Sequence, residues 1–267
     1  MKQYFSIITL VFIIIFVSCS DKNAEQLIER GEYLKAADIL TESIREEPEK
    51  KTLLTLMKVN NNHLGKYTEN IELYNEYEEM ILTDRQLMQI SAVSLCNYGF
   101  EEYENENYTS ARQYASAAGQ LDENYGRPKL LKAKVFLKRS SIDSAYYYLN
   151  RSVECDSTLK ESYLLLGNIA QMNEEFDHSM AMYDRAIALD SAYAGAWTNR
   201  GALFYSTENY QYAVHSFKEA IKYDSLNILA YDYLINLYYN AGLVDSAKRY
   251  ADIFQRNKEE LDDNTDR

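Results

Sequence analysis

A period of 34 residues runs through this sequence from Ala92 to its last predicted helix. One column of small residues contains Ala111, Ala145, Ser179, Ala213 and Ala247. A second column, four residues later, contains Ala115, Leu149, Tyr183, Phe217 and Ala251. Repetition at a fixed spacing of this length is typical of solenoids, in which each unit packs only against its neighbours. Such a fold usually presents a surface and seldom supplies a catalytic centre.

Each period contains two amphipathic segments joined by a short turn. In residues 194–227 the first segment carries Trp197, Gly201, Phe204 and Tyr205, and the second carries Ala213, Phe217, Ala220 and Ile221. Apolar residues at spacings of three and four give each helix one buried face. Asp-Ser pairs close three periods, and we expect them to cap the helix that follows: Asp156-Ser157, Asp190-Ser191 and Asp224-Ser225.

This pattern resembles the tetratricopeptide repeat (TPR). The family signature W-x₂-L-G-x₂-Y, then A-x₃-F, aligns with Trp197, Arg200, Gly201, Phe204, Ala213 and Phe217. The closing Pro of the family is replaced by Ser157, Ser191 and Ser225, and stands only as Pro48. The resemblance implies an all-α fold, a right-handed superhelical solenoid of about seven helix-turn-helix repeats.

The repeats can be placed along the chain from these columns. We predict a solenoid over residues 19–258, with repeats near 17–50, 51–84, 92–125, 126–159, 160–193, 194–227 and 228–261. Seven extra residues, Arg85 to Ser91, precede the regular array. Thr83-Asp84-Arg85-Gln86 resembles a capping box, so we expect the extra residues to lengthen the next helix by about two turns. Residues 259–267 are charged and are predicted to form a frayed polar tail.

The first 18 residues read as a signal peptide of the bacterial lipoprotein type. Lys2 precedes an apolar run, Phe5 to Val17, that suits a signal sequence and is too short to span a bilayer comfortably. The stretch Phe16-Val17-Ser18-Cys19 resembles a lipobox, which implies diacylation of Cys19. Ser20, next to it, favours the outer over the inner membrane. The alternative is an ordinary cleaved signal or an uncleaved anchor.

Composition argues against nucleic acid, metal and cofactor binding. The formal net charge is −13, which opposes a general affinity for nucleic acid or anionic lipid. Three His and two further Cys, Cys96 and Cys155, have no ligand-like spacing. Cys155 shares a column with Leu121 and Leu189, which predicts a buried apolar role. No catalytic Ser/His/Asp set, phosphate loop or HExxH motif is present, so the sequence predicts no enzyme, no cofactor and no metal site.

In the TPR family the first helix of each pair lines a concave groove that binds peptides or partner helices. The residues of those helices that avoid the core columns are the candidate groove: Lys134, Lys138, Asn168, Asn199, Tyr205, Tyr233, Asn236 and Tyr239. Asn offers both a donor and an acceptor, and Tyr offers rigid contact area. The basic helix 126–139 is either a cationic clamp for an acidic peptide or a solvated helix neutralised by acidic neighbours.

These features favour a membrane-anchored envelope scaffold that binds a protein or peptide partner. A component of a solute or glycan uptake system at the outer membrane is the alternative, although its known examples are longer, with large insertions. No capping helix follows the last pair, so Tyr231, Leu234, Tyr238 and Phe254 are expected to be partly exposed. Those residues are the expected interface of a homodimer.

Overall fold

The described chain is built from α-helices joined by short turns. The computed structural model describes residues 22–265, and side chains of residues 22–259; the predicted signal segment and Cys19 lie outside them. The helices are α1 (22–29), α2 (Tyr33–Glu46), α3 (Lys50–Val59), α4 (Tyr67–Glu76), α5 (Glu78–Ile81), α6 (Arg85–Glu104), α7 (Tyr108–Leu121), α8 (Arg127–Lys138), α9 (Ile142–Cys155), α10 (Lys160–Met172), α11 (Phe176–Leu189), α12 (Ala194–Ser206), α13 (Tyr210–Tyr223), α14 (Ile228–Asn240) and α15 (Val244–Thr265). A π-helical turn, Asn60–Leu64, extends α3. Residues 22–265 contain no β-strand, which confirms the all-α solenoid class.

The helices form two compact units that divide inside α8, between Val135 and Phe136. In the first unit, α2 packs on α3, α3 and α4 pack on α6, and α6 packs on α7. In the second unit, α10 pairs with α11, α12 with α13 and α14 with α15. The first helices of these last three pairs contact one another in chain order. Among residues 22–265, no helix combines the length and hydrophobicity that a membrane-spanning helix needs.

One residue in each intra-pair turn adopts a left-handed conformation, with φ between 55° and 76°. The seven positions are Gly31, Gly65, Glu106, Ser140, Glu174, Glu208 and Gly242. Successive positions are 34 residues apart, except that 41 separate Gly65 from Glu106. Helix α6, which lies in that longer interval, has 20 residues, whereas α10 and α12 have 13 each. The extra residues therefore lengthen α6, as predicted.

Glycines let the paired helices approach each other closely. A Cβ atom added to Gly167 would lie 2.5 Å from Cε1 of Tyr183, and one added to Gly201 would lie 2.7 Å from Cε1 of Phe217. Both rings are fully buried. The side chain nearest to Gly201 is thus that of Phe217, and Ala213, earlier on the same second helix, is also buried. The ring of the second helix fills the space that the missing side chain leaves on the first.

The Asp-Ser pairs do not cap the following helices, so that prediction is wrong. Asp156, Asp190 and Asp224 each end a second helix, and their Oδ1 atoms accept from the backbone N–H two residues later at 2.9–3.1 Å. The following helix begins four residues after each Asp, beyond the reach of this short side chain.

The cap of α6 is also shifted by one residue from the predicted capping box. Asp84, not Thr83, accepts from the N–H groups of Gln86 and Leu87.

Helix α15 covers two of the four residues that were expected to be partly exposed at the C-terminal end, whereas Tyr238 and Phe254 are half-buried, in line with that expectation. Tyr231 and Leu234 are buried. The Phe254 ring centroid lies 5.0 Å from that of Tyr231, and Asn257 Nδ2 donates to the Tyr231 hydroxyl at 3.2 Å. Because α15 continues to Thr265, the described part of the predicted tail is helical rather than frayed.

The expected dimer interface is therefore wrong for Tyr231 and Leu234, which are covered. Beyond them, a shallow depression on α15 is lined mainly by charged side chains, Asp245, Lys248, Arg249, Asp252 and Arg256. Acidic and basic residues that alternate on an outer helical face remain solvated, which reduces the need for a further repeat or a second copy. Charged residues of α15 thus give this face a polar, solvated surface.

The two described cysteines differ in burial. Cys96 is fully buried, and burial raises the pKa of its thiol to about 12. A thiol with so high a pKa carries almost no thiolate at neutral pH and is chemically inert. Cys155 is only half-buried at the end of α9, so the prediction of a fully buried Cys155 is wrong. Its helix ends there and leaves one side of the residue open.

Replacing Gly167 by Ala should lower the free energy of unfolding by about 1–3 kcal/mol, because the new methyl group would overlap the Tyr183 ring. The control is Gly119→Ala in α7, where no neighbouring group lies within 4 Å of an added Cβ. That change should raise the free energy of unfolding by about 0.5–1 kcal/mol through helix propensity. Urea denaturation measures both. Equal effects of the two substitutions would contradict the close approach at Gly167.

Replacing Glu106 by Gly should raise the free energy of unfolding by about 0.5–1 kcal/mol. Relief of the left-handed conformation, about 1–2 kcal/mol, exceeds the entropy that a glycine loses on folding, about 0.5–1 kcal/mol. The reverse change, Gly31→Ala, should destabilise for the same reason. Thermal unfolding provides the measurement. A less stable Glu106→Gly protein would mean that the carboxylate itself makes a stabilising interaction.

Candidate functional site

Six of the predicted groove residues lie on the first helices of the second unit. We call them the first-helix surface: Asn168 on α10, Asn199 and Tyr205 on α12, and Tyr233, Asn236 and Tyr239 on α14. Asn236 and Tyr239 are exposed, and Tyr239 retains 65% of its accessible area. The other four are half-buried. Since α10, α12 and α14 contact one another in order, these side chains occupy neighbouring helices.

A hydrogen-bond network fixes the α10 end of this surface. The hydroxyl of Tyr183, on α11, lies 2.9 Å from Oδ1 of Asn168 and 2.8 Å from Oε1 of Gln171. Asn199 Nδ2 donates to the same Asn168 Oδ1 at 2.7 Å and so links α10 to α12. The Tyr183 hydroxyl has one proton and donates to one of the two amides at a time. Burial raises the pKa of Tyr183, which keeps this proton in place at neutral pH.

The network leaves one donor and one acceptor unused on adjacent helices. With Asn168 Oδ1 occupied, Asn168 Nδ2 and Asn199 Oδ1 make no hydrogen bond within the described residues. With both amides reversed, Asn168 Nδ2 would donate to Asn199 Oδ1, and the unused groups would again be one donor and one acceptor. A free N–H and a free C=O held on neighbouring helices match the two groups that an extended peptide backbone presents. The Asn pair is therefore held in place before any ligand arrives.

The aromatic residues of the surface also take part in packing. The Tyr233 ring stacks on Phe217 with centroids 5.0 Å apart and an interplanar angle of 5°. Tyr205 lies 5.1 Å from Tyr233 and 5.8 Å from Tyr210, again between ring centroids. Both Tyr205 and Tyr233 pack against the core of the last two pairs. Only Tyr239 is an aromatic side chain of this surface that is mostly free of the core.

The two predicted lysines differ in their surroundings. Lys134 is half-buried, and its Nζ lies 4.9 Å from the centroid of Tyr103 and 5.5 Å from that of Phe100. Cation–π contact of this kind holds the ammonium against α6. Lys138 is exposed. The division of the two units falls between these lysines, so one continuous groove from Lys134 to Tyr239 stays a prediction.

Helix α8 keeps a positive local potential. Burial, followed by the nearby charges of Lys129 and Arg112, holds the pKa of Lys132 below its usual value. Like charges lower a lysine pKa because they disfavour the protonated form.

No group of three or more His, Cys, Asp or Glu side chains among the described residues could hold a metal ion.

Comparison with solved structures places this geometry in a known fold. MamA shares 24% identity over 62% of this chain and 96% of its own, with a TM-score of 0.53. The pilF protein of Pseudomonas aeruginosa shares 15% identity over 62% of this chain and 75% of its own, with a TM-score of 0.58. YrrB, described as a TPR protein with an unusual peptide-binding site, shares 18% identity over 73% of this chain and 96% of its own, with a TM-score of 0.51. The fold is that of a tetratricopeptide-repeat protein. No family model and no curated protein matches the sequence.

The sequence analysis did not name two residues of the hydrogen-bond network, Tyr183 and Gln171, as site residues. Tyr183 belongs to the core column that also contains Leu149 and Phe217, and only its hydroxyl distinguishes it from them. Gln171 lies one turn beyond Asn168 on the same helix. A tyrosine in a core column of one helix, opposite the two amides Asn168 and Gln171 on the facing helix, is the sequence pattern that could have identified both residues.

Removing the Tyr183 hydroxyl should loosen this network without leaving a cavity. We expect Tyr183→Phe to lower the free energy of unfolding by about 1 kcal/mol, because one buried hydrogen bond is lost. The side-chain amide resonances of Asn168 and Asn199 should shift and broaden. The control is Tyr239→Phe, whose hydroxyl is exposed and should matter by less than about 0.5 kcal/mol. Unchanged amide resonances in the Tyr183→Phe protein would contradict the network.

Proposed function

We propose that this protein is a lipid-anchored scaffold of the bacterial envelope that binds a segment of a partner protein on its first-helix surface. The observation that carries the proposal is the fixed Asn168–Asn199 pair, with its unused donor and acceptor on adjacent helices. On α14, Asn236 and Tyr239 add an exposed amide and an exposed aromatic ring to the same first-helix surface. Together they offer backbone hydrogen bonding at one end and contact area at the other.

An extended or helical partner segment suits this surface for energetic reasons. Prearranged side chains lose little conformational entropy on binding, so more of each contact remains as affinity. Lys138, on the part of α8 that belongs to the second unit, adds an exposed cationic group, which favours an acidic segment. Because Lys138 is exposed, its contribution should be strongly screened by salt, over a Debye length of about 8 Å at physiological ionic strength.

The anchor and the location rest on sequence features that lie outside the described residues. The lipobox-like stretch ending at Cys19 supports acylation, and more than one acyl chain gives stable membrane attachment. The residue after it, Ser20, supports the outer membrane. Together these features support a site of action in the bacterial envelope, where a tethered scaffold would meet its partners at the membrane surface.

The proposal places solute uptake second to partner binding. The six connections from α9 to α15 contain three or four residues each. Connections of that length cannot build the enclosed, insertion-lined pocket that a sugar or solute site needs. No observation in the described residues favours uptake over partner binding.

The binding proposal can be tested by crosslinking partners in membranes and then measuring their affinity for variants of the full chain. Asn199→Ala should weaken partner binding about tenfold, the effect of about 1.4 kcal/mol. Tyr239→Ala should weaken it independently of salt, while Lys134→Ala with Lys138→Ala should reduce the salt dependence. The matched controls are Tyr146→Ser and Tyr147→Ser, exposed aromatics on the second helix α9. If only the controls lost binding, the second-helix face would be the binding surface and the proposal would fail.

The anchor has a separate test. Metabolic labelling with palmitate should mark the protein, and Cys19→Ala should abolish both the label and processing of the precursor. Replacement of Cys96 by Ala provides the control, because that buried thiol cannot accept an acyl chain. Label that persisted in the Cys19→Ala protein would end the lipoprotein assignment while leaving the binding surface untouched.

A further inference from the structure

A second surface lies at the helix ends of the last three pairs. It consists of the intra-pair turns and the residues beside them, 172–177, 207–212 and 241–245, which we call the turn edge. Since α10, α12 and α14 contact one another in order, their C-terminal ends and the turns that follow lie along one side of this unit. Neighbouring helices pack about 8–10 Å apart, so an extended or helical segment could contact all three turns.

The turn edge exposes large apolar side chains. Six of them keep between 40% and 67% of their accessible area: Met172, Phe176, Tyr210, Tyr212, Leu243 and Val244. Single exposed apolar residues are normal on a protein surface, but a row of them in successive repeats marks an interaction site. Met172 and Leu243 keep 67% and 52% of their accessible area, so more than half of each side chain faces solvent.

Carboxylates surround these apolar groups. Glu174, Glu175, Asp177, Glu208 and Asp245 are all exposed. None of the five side chains has an ion-pair or hydrogen-bond partner within the described residues. The three segments contain no Lys or Arg, and the nearest basic residues along the chain are Arg185, Arg200, Lys218, Lys248 and Arg249. Lys248 and Arg249 share a depression with Asp245, so the unpaired acidic groups lie mainly at the first two turns. The edge therefore combines apolar contact area with unpaired carboxylates.

We propose that the turn edge binds a basic, apolar segment of a partner protein, in which Lys or Arg residues alternate with Leu or other large apolar residues. Charge complementarity identifies this occupant, because ammonium and guanidinium groups pair with the free carboxylates while the apolar residues cover the exposed rings. A second copy of the chain is disfavoured by its net charge of −13. Anionic lipid is disfavoured by the same carboxylates.

This site borders the first-helix surface through the ring contact between Tyr205 and Tyr210, but its chemistry does not depend on that surface. The first-helix surface uses amide and aromatic groups along the helices, whereas the turn edge uses carboxylates and apolar groups at their ends. A scaffold with two chemically different surfaces can hold two partners at once. Partner segments of opposite charge would then choose different surfaces.

The test uses the full chain and a fluorescein-labelled peptide of repeated Lys-Leu-Ser triplets. Comparison peptides carry Glu in place of Lys, or Ser in place of Leu. Fluorescence anisotropy should show binding of the first peptide only, lost at high salt, and hydrogen exchange should slow at residues 172–177, 207–212 and 241–245. Glu174→Gln with Glu175→Gln and Glu208→Gln should weaken binding at least about fivefold, since each exposed charge pair contributes modestly.

A matched triple variant controls for net charge. Glu42→Gln with Glu46→Gln and Glu49→Gln removes three exposed carboxylates from the first unit and should leave peptide binding unchanged. The double variant Met172→Ser with Leu243→Ser tests the apolar contact and should weaken peptide binding. Its control is Leu34→Ser with Leu82→Ser, which changes two exposed residues of the first unit and should leave peptide binding unchanged.

Three outcomes would overturn the proposal. In the first, the two Glu→Gln triples weaken binding equally, which would mean attraction by net charge alone. In the second, hydrogen exchange slows on the first-helix surface instead of the turn edge. In the third, sedimentation shows a dimer that the edge triple dissociates, which would make a second copy the occupant. Circular dichroism of each variant verifies that the fold is intact, and a triple that unfolds is replaced by its single substitutions.

Discussion

The contact between a glycine on the first helix and an aromatic ring on the second, made in the α10–α11 and α12–α13 pairs, is the interaction on which the middle of the second unit depends. At Gly167 and Gly201 the missing side chain admits the rings of Tyr183 and Phe217, which are fully buried against the helix backbone. Close packing of this kind fixes the distance between the paired helices, because a protein interior has little free volume to absorb a displacement. Each pair then offers a defined face to the next, and the array is built by repetition.

The same packing contact also organises the candidate binding surface. Tyr183 reaches the amides of Asn168 and Gln171 only because its ring lies directly on Gly167. A phenylalanine in this position, as at Phe217, would fill the space but would leave the amides unfixed. The hydroxyl thus couples core packing to the orientation of surface groups, and Asn199 extends that coupling to the next pair. A surface fixed in this way can bind with a small entropic cost.

The role of the Asp residues between repeats differed from expectation, because an Asp carboxylate can accept from the backbone N–H groups of a helix start or of a turn. Asp156, Asp190 and Asp224 were expected to begin helices, yet they stabilise the turns that end them. The sequence marks the place of the turn, but the choice between cap and turn depends on the backbone path, which other contacts set. Burial at the C-terminal end was misjudged for a similar reason. Helix α15 extends to Thr265 and is long enough for Phe254 and Asn257 to cover Tyr231.

The sequence by itself determined the all-α class, the period, the place of each turn and the lengthened α6, because helical spacing of apolar residues and fixed repetition are local properties of the chain. It also identified which residues of the first helices avoid the core columns. Tertiary structure alone decided that Tyr183 links Asn168 to Gln171, that Tyr205 and Tyr233 serve packing as well as surface, and that the turns of the last three pairs expose apolar and acidic groups side by side. Those facts depend on distances between helices that are remote in sequence, and no single-chain periodicity encodes them.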